Sequence, residues 1–239
     1  MNDKRNNSFS QHIESYTSGQ MIETGQALSN KKLIAIEGPI GVGKTTLAKK
    51  LASSIQAGLL LEGASENPFL EKFYQDPKAG ALPAQLYFLF QRSRQLKELK
   101  QSDMFTPNHV ADFLMDKDRL FARVTLDTDE LNLYEQVYDN LTIDAPRPDL
   151  VIYLQAPTDV LLKRIRQRGI GMETTINNDY LTRLSNAYTD FFHYYQASPL
   201  LIVNASEIDL VNNEKDYMQL LERIESTTNG RHYFNPISV

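Results

Sequence analysis

The segment Gly38-Pro39-Ile40-Gly41-Val42-Gly43-Lys44-Thr45 fits the pattern G-x-x-x-x-G-K-[ST], and its flanks leave the chain little freedom. Before it runs Leu33-Ile34-Ala35-Ile36, a continuous apolar stretch of the length of a strand buried on both faces. After it, Leu47, Ala48, Leu51 and Ile55 recur at helical spacing. Strand, glycine-rich turn and helix in that order make a loop whose backbone N–H groups wrap an oxyanion. Glycines permit the close approach, and the helix offers the positive end of its dipole. The cradle for the phosphates of a nucleotide therefore runs from Gly38 through Thr46, and by itself it leaves kinases, GTPases, ATPases and nucleotide sensors open. Lys44 would neutralise the β- and γ-phosphates, and the Thr45 hydroxyl would ligate Mg2+.

The rest of the chain repeats the alternation of strand and helix. Leu59-Leu60-Leu61 reads as a second strand closing at Glu62, and Asn67 as the cap of a helix with Pro68 in its first position. A long helix is expected over residues 83–101, and a third strand around Val110-Ala111, closed by Asp112. Helical patterns follow over 118–126 and 129–141, then a clear strand over Leu150–Leu154. A basic helix, Pro157–Arg168, is broken by Gly169-Ile170-Gly171, and an aromatic-rich helix covers 178–196. Leu200–Val203 is the last expected strand and 213–226 the last helix. This predicts an α/β fold with a parallel sheet of about five strands and helices on both faces. Residues 31–239 read as one domain, and the polar first thirty as a disordered arm.

Composition narrows the partners. A formal net charge of −5 argues against a nucleic-acid polymer or an anionic membrane surface as partner, and points to a small substrate. Without cysteine there are no disulfides or thiolate-bound metals, and no apolar run approaches the roughly 18 residues of a membrane span. The first thirty residues lack the apolar core of a secretory signal, so a cytoplasmic location is expected.

The acceptor must be sought where open α/β sheets place their sites, at the carboxyl ends of the strands. Glu62 and Asp112 both stand there. A carboxylate beside the donor phosphate suits a neutral hydroxyl, whose proton must leave as the new O–P bond forms, and repels an acceptor that already carries phosphate. Position alone leaves open whether Glu62 is that base or a solvated strand-end residue. The run Lys163, Arg164, Arg166, Arg168 is either a solvated helix face or an arginine-rich lid over the transferring group.

Together these residues resemble the deoxynucleoside kinase family, in its bacterial deoxyadenosine/deoxyguanosine kinase branch. The likeness runs from about Lys32 to Ile224. It includes the glycine loop, Asn67-Pro68-Phe69-Leu70, Asp149 to Ala156, Arg168-Gly169 and Asp179-Tyr180-Leu181. It implies a P-loop kinase fold that phosphorylates the 5′-hydroxyl of a deoxynucleoside, a purine by preference, with ATP and Mg2+, as a homodimer. It implies Glu62 as general base, Tyr74 and Glu173 at the sugar 3′-hydroxyl, and Gln85, Arg92 and Asp118 at the base. Arg164 and Arg168 would contact phosphate, Asp112 would serve the metal shell, and Ile208 to Val211, with Asp209 and Leu210, would hold the donor adenine.

Three positions depart from the family pattern. Phe113 follows Asp112 where an arginine is usual, Ile170 stands where a second lid arginine is expected, and Gly63 replaces a common proline after the base. A thymidylate-type monophosphate kinase and a non-catalytic nucleotide-binding regulator are the alternative readings. The cluster Phe191, Phe192, Tyr194, Tyr195 reads as packing or as part of a dimer interface.

Overall fold

Strand β1 (Leu33–Glu37) is buried at every position, as a strand covered on both faces must be. It lies inside a six-stranded sheet of order β2-β3-β1-β4-β5-β6, in which every pairing is parallel. The other strands are β2 (Gly58–Leu60), β3 (His109–Ala111), β4 (Leu150–Gln155), β5 (Leu200–Asn204) and β6 (Arg231–Phe234). The computed structural model describes residues 28, 31–102, 108–142, 144–206, 208 and 213–235.

Alternation along the strands sorts the core into layers. Ile34, Ile36, Val110, Ile152, Leu154 and Val203 face α1 (Lys44–Ser54), α6 (Thr158–Arg168) and α8 (Glu214–Ser226). Ala35, Val151, Tyr153 and Ile202 face α4 (Lys117–Thr125) and α7 (Asn178–Tyr194) on the other side. Leu33 and Ala111 pack with α3 (Pro77–Ser102) and α5 (Thr128–Thr142). The chain leaves β1 into α1 on one face and leaves the neighbouring β3 toward α4 on the other. A crevice opens between their carboxyl ends, the place where such sheets bind ligands.

Three expectations are corrected. The sheet has six strands rather than about five, because the short β6 follows the last helix. Its sequence Arg-His-Tyr-Phe lacks the apolar run of a central strand, as an edge position allows. The long helix starts at Pro77, in the first position where a missing N–H costs nothing, and carries Pro83 inside it. Asn67 caps no helix; α2 spans Leu70–Gln75. Instead its Oδ1 accepts from the Phe69 N–H at 3.0 Å and its Nδ2 donates to the Ala84 carbonyl at 3.1 Å, stapling the turn to α3. The aromatic run on α7 divides. Phe192 is buried and stacks on Tyr153 with ring centroids 4.1 Å apart, whereas Tyr194 is exposed.

Of the stretch expected to be an arm, only Leu28 is described, and it is buried in the α1 layer. Among the described residues no helix is long and apolar enough to cross a membrane.

Candidate active site

At Gly38 and Gly41 the glycine loop closes on its neighbours with no room for a side chain. Gly41 sits at φ +83°, and a Cβ there would lie 2.8 Å from Ile165 Cγ1 and 2.9 Å from the Leu161 carbonyl oxygen. Gly43, immediately before α1, supplies no side-chain cap, so the first N–H groups of the helix are left for an anion. Lys44 is held across the loop, its Nζ donating to the Gly38 carbonyl at 2.7 Å and to Pro39 at 3.4 Å. Burial pulls this ammonium down to about 8, against the opposing pull of Glu37.

Asp112, directly after β3, ties the start of α1 to the segment after β2. Its Oδ2 accepts from the Thr45 hydroxyl at 2.6 Å and its Oδ1 from the Glu62 N–H at 2.7 Å. Thr45 and Asp112 together offer hard oxygen donors, one of them anionic, which fits a Mg2+ that takes its remaining ligands from phosphates and water.

Glu62 follows β2 and turns its carboxylate into the crevice, 19% exposed. Its Oε1 accepts from Arg92 and from Lys117 Nζ, the latter at 3.2 Å. The next residue, Gly63, sits at φ +60°, a conformation closed to proline, whose ring holds φ near −65°. The departure from the family pattern at this position is therefore a different local turn. Gln95 Nε2 fastens the segment by donating to the Leu61 carbonyl at 2.8 Å.

From the glycine loop a cavity of ≈ 1030 Å³ runs past Glu62 to a wall formed by Tyr74, Gln85, Phe88, Phe121, Glu173 and Tyr180. Its volume is enough for two small ligands, and Lys44, Thr45 and Asp112 line it as well. Burial and the nearby Tyr180 and Glu173 hold the Tyr74 hydroxyl far above the ordinary tyrosine range, so it is neutral and able to donate.

A profile of the family described as deoxynucleoside kinase matches residues 34–229. The chain belongs to the deoxynucleoside kinase family. It is 34% identical to the deoxyguanosine kinase of Bacillus subtilis, over 83% of this chain and 98% of that one. It is 30% identical to the deoxyadenosine kinase of Lactobacillus acidophilus, over 81% and 95%. Among solved structures, the deoxyadenosine kinase of M. mycoides with bound dATP superposes with a TM-score of 0.71 at 29% identity, over 82% of this chain and all of that one. These likenesses set it in the bacterial branch, among enzymes that move a phosphoryl group to a hydroxyl.

The geometry of this kinase gathers the expected residues unevenly. Lys44, Thr45, Glu62, Tyr74, Gln85, Asp112, Arg164, Arg168 and Glu173 all line the one cavity. Arg92 and Asp118 form the anticipated ion pair but lie buried behind the wall, where Arg92 bridges Asp118 and Glu62. They stand behind the cavity without lining it. Arg164 is anchored: it donates to the Val42 carbonyl at 3.3 Å and to Ala205 at 2.8 Å, joining α6 to the loop and to the end of β5. Arg168 pairs with Glu173. Ile170, just past Gly169 where α6 ends, adds an apolar rather than a charged surface to the cavity. Asp209 and Leu210 lie outside the described residues, while Ile208 is buried and lines the cavity.

Two charged residues escaped the sequence reading. Glu37, fully buried, accepts from the Gly38 N–H at 2.8 Å, the Tyr188 hydroxyl at 2.8 Å and the Leu114 N–H at 3.0 Å. Lys117 Nζ lies 3.5 Å from Glu37 Oε2. A carboxylate ending an apolar strand was a visible signal for Glu37; in a lysine among Asp116, Asp118 and Arg119 there was none.

Proposed function

We propose that the kinase transfers the γ-phosphoryl group of ATP to the 5′-hydroxyl of a deoxynucleoside, preferring purines, and so works in nucleotide salvage. The observation that carries this reading is Glu62. Its carboxylate faces the same cavity as Lys44 and Thr45, and Asp112 fixes its backbone relative to both. A base so placed serves a neutral alcohol and repels a phosphate. The purine preference is supported by the relatives named deoxyguanosine and deoxyadenosine kinase, and by an aromatic wall that also carries the Gln85 amide.

In this reading the N–H groups at the start of α1 and Lys44 bind the triphosphate. Tyr74 and Glu173 hold the sugar, and Phe88 and Phe121 flank the base. Glu62 accepts the 5′-hydroxyl proton while the new O–P bond forms in line with the one that breaks. Thr45 and Asp112 would hold Mg2+, which supplies charge neutralisation at the phosphates. Phe90 on α3 and Leu133 on α5, large apolar side chains at least half exposed, support association of two copies through the long helices.

Acceptor-dependent ADP release, measured with the four deoxynucleosides and their monophosphates, tests the assignment. Turnover is expected with deoxyadenosine or deoxyguanosine and none with a monophosphate. Turnover of monophosphates alone would replace the reading with the thymidylate-type one. ATP binding with no acceptor-dependent release would leave a nucleotide-binding regulator.

A further inference from the structure

Lys117 has no task in the mechanism above, yet it stands at its centre. It opens α4 with its side chain 3% exposed, and it lines the cavity beside Lys44, Thr45 and Asp112. Its Nζ lies 3.2 Å from Glu62 Oε1, 3.5 Å from Glu37 Oε2 and 5.1 Å from the centre of the Phe121 ring. Neither carboxylate needs it for packing. Three uncharged donors already satisfy Glu37, and Arg92 already pairs with Glu62. An ammonium carries three N–H donors, so two bound carboxylates leave one for a group in the cavity. Burying a cation this deeply is costly, and Glu37 is the fixed counter-charge that offsets the cost. Phe113, next to Asp112, packs against α3 and α5 and supplies no cation to the cavity.

We propose that Lys117 is a further catalytic residue, whose ammonium donates to the acceptor oxygen and the transferring phosphoryl group while Glu37 keeps it charge-balanced. The inference rests on the phosphoryl transfer proposed above. A hydroxyl that hydrogen-bonds to Glu62 Oε1 shares that oxygen with Lys117 Nζ, so the two become neighbours. In the step itself the O5′–H bond breaks as Glu62 takes the proton and the O5′–Pγ bond forms. The bond from Pγ to the bridging oxygen breaks, its electron pair leaving on ADP. Lys117 transfers no proton. It stabilises the negative charge on oxygens that are changing partners, the role of a preorganised donor.

Steady-state kinetics with ATP, Mg2+ and deoxyadenosine or deoxyguanosine on the full chain, beside binding of a fluorescent ATP analogue, test this. Lys117→Met should lower kcat by roughly 10²- to 10³-fold, the range for loss of one such donor. The KM for the nucleoside and the affinity for the ATP analogue should stay within about threefold, since the lost interaction belongs to the transition state. Lys117→Arg should recover at least about tenfold of the lost kcat, because charge and donors return. If Lys117→Met does not fold, Lys117→Gln takes its place under the same criteria. A kcat within about threefold of wild type, or a loss matched by an equal loss of ATP-analogue binding, overturns the role. A wild-type protein inert toward every deoxynucleoside would instead refute the proposed function itself.

Discussion

Asp112 divides its two oxygens between the hydroxyl that would meet the metal and the backbone of the residue that would take the proton. At this scale small changes have large consequences. Glu62→Gln keeps the shape of the side chain but removes its basicity. Its kcat should fall by roughly 10²-fold or more with nucleoside KM nearly unchanged, as steady-state kinetics will show. Gly63→Pro restores the residue common in the family yet cannot adopt φ +60°. We expect it to cost about 1–3 kcal/mol in urea unfolding and to lower kcat, because the strained turn carries Glu62. Wild-type behaviour of that variant would show that the local turn is not what sets the base.

At the scale of elements, α6 is fastened rather than free. Arg164 joins it to the glycine loop and to the end of β5 by hydrogen bonds to carbonyl oxygens. Cutting that tether with Arg164→Ala should raise the KM for ATP by about tenfold, in line with the loss of a charged hydrogen bond, and leave the nucleoside KM little changed. The β6 edge is similarly tied, since Arg231 Nη2 donates to the Phe192 carbonyl at 2.9 Å and to that of His193 at 2.7 Å. Ending the chain at Gly230 would expose the β5 edge. A lower melting temperature and concentration-dependent association, seen by calorimetry and sedimentation, are the expected results.

Over the whole molecule, buried titratable groups set how stability responds to alkali. Burial pulls Lys44 and Lys117 from 10.5 down to about 8, so between these values the unfolded chain holds more of their protons than the fold does. Stability gains from them as pH rises through that window. Burial acts the opposite way on tyrosines. Tyr138, Tyr195 and Tyr217 are pushed up to about 12 from 10, and Tyr74, Tyr134, Tyr180 and Tyr188 are raised too. Above pH 10 the unfolded chain sheds tyrosine protons that the fold keeps, and stability is lost. Urea unfolding should therefore show no loss from these groups between pH 8 and 10 and a steep one above. Tyrosinate absorbance from the buried rings should rise together with the loss of circular dichroism. Full tyrosinate formation at pH 10 in a folded protein would contradict this.

What could be read along the chain was whatever depends on neighbours in sequence. The glycine loop between strand and helix, the carboxylates closing β2 and β3, and the alternation that demands a parallel sheet are local patterns, because loop geometry and side-chain periodicity are local properties. The sequence reading also paired Arg92 with Asp118, although through family likeness rather than spacing. Only the tertiary structure could decide what depends on strand order. Setting β3 beside β1 brings Lys117 to Glu37 and Glu62, and it seats Arg92 behind the cavity wall instead of on it. The strand after the last helix needed the β5 edge to reveal it, since its own residues carry too little apolar pattern. Charge pairing between residues far apart in the chain leaves no mark on local spacing; it exists only once the sheet has folded and water has been excluded from between them.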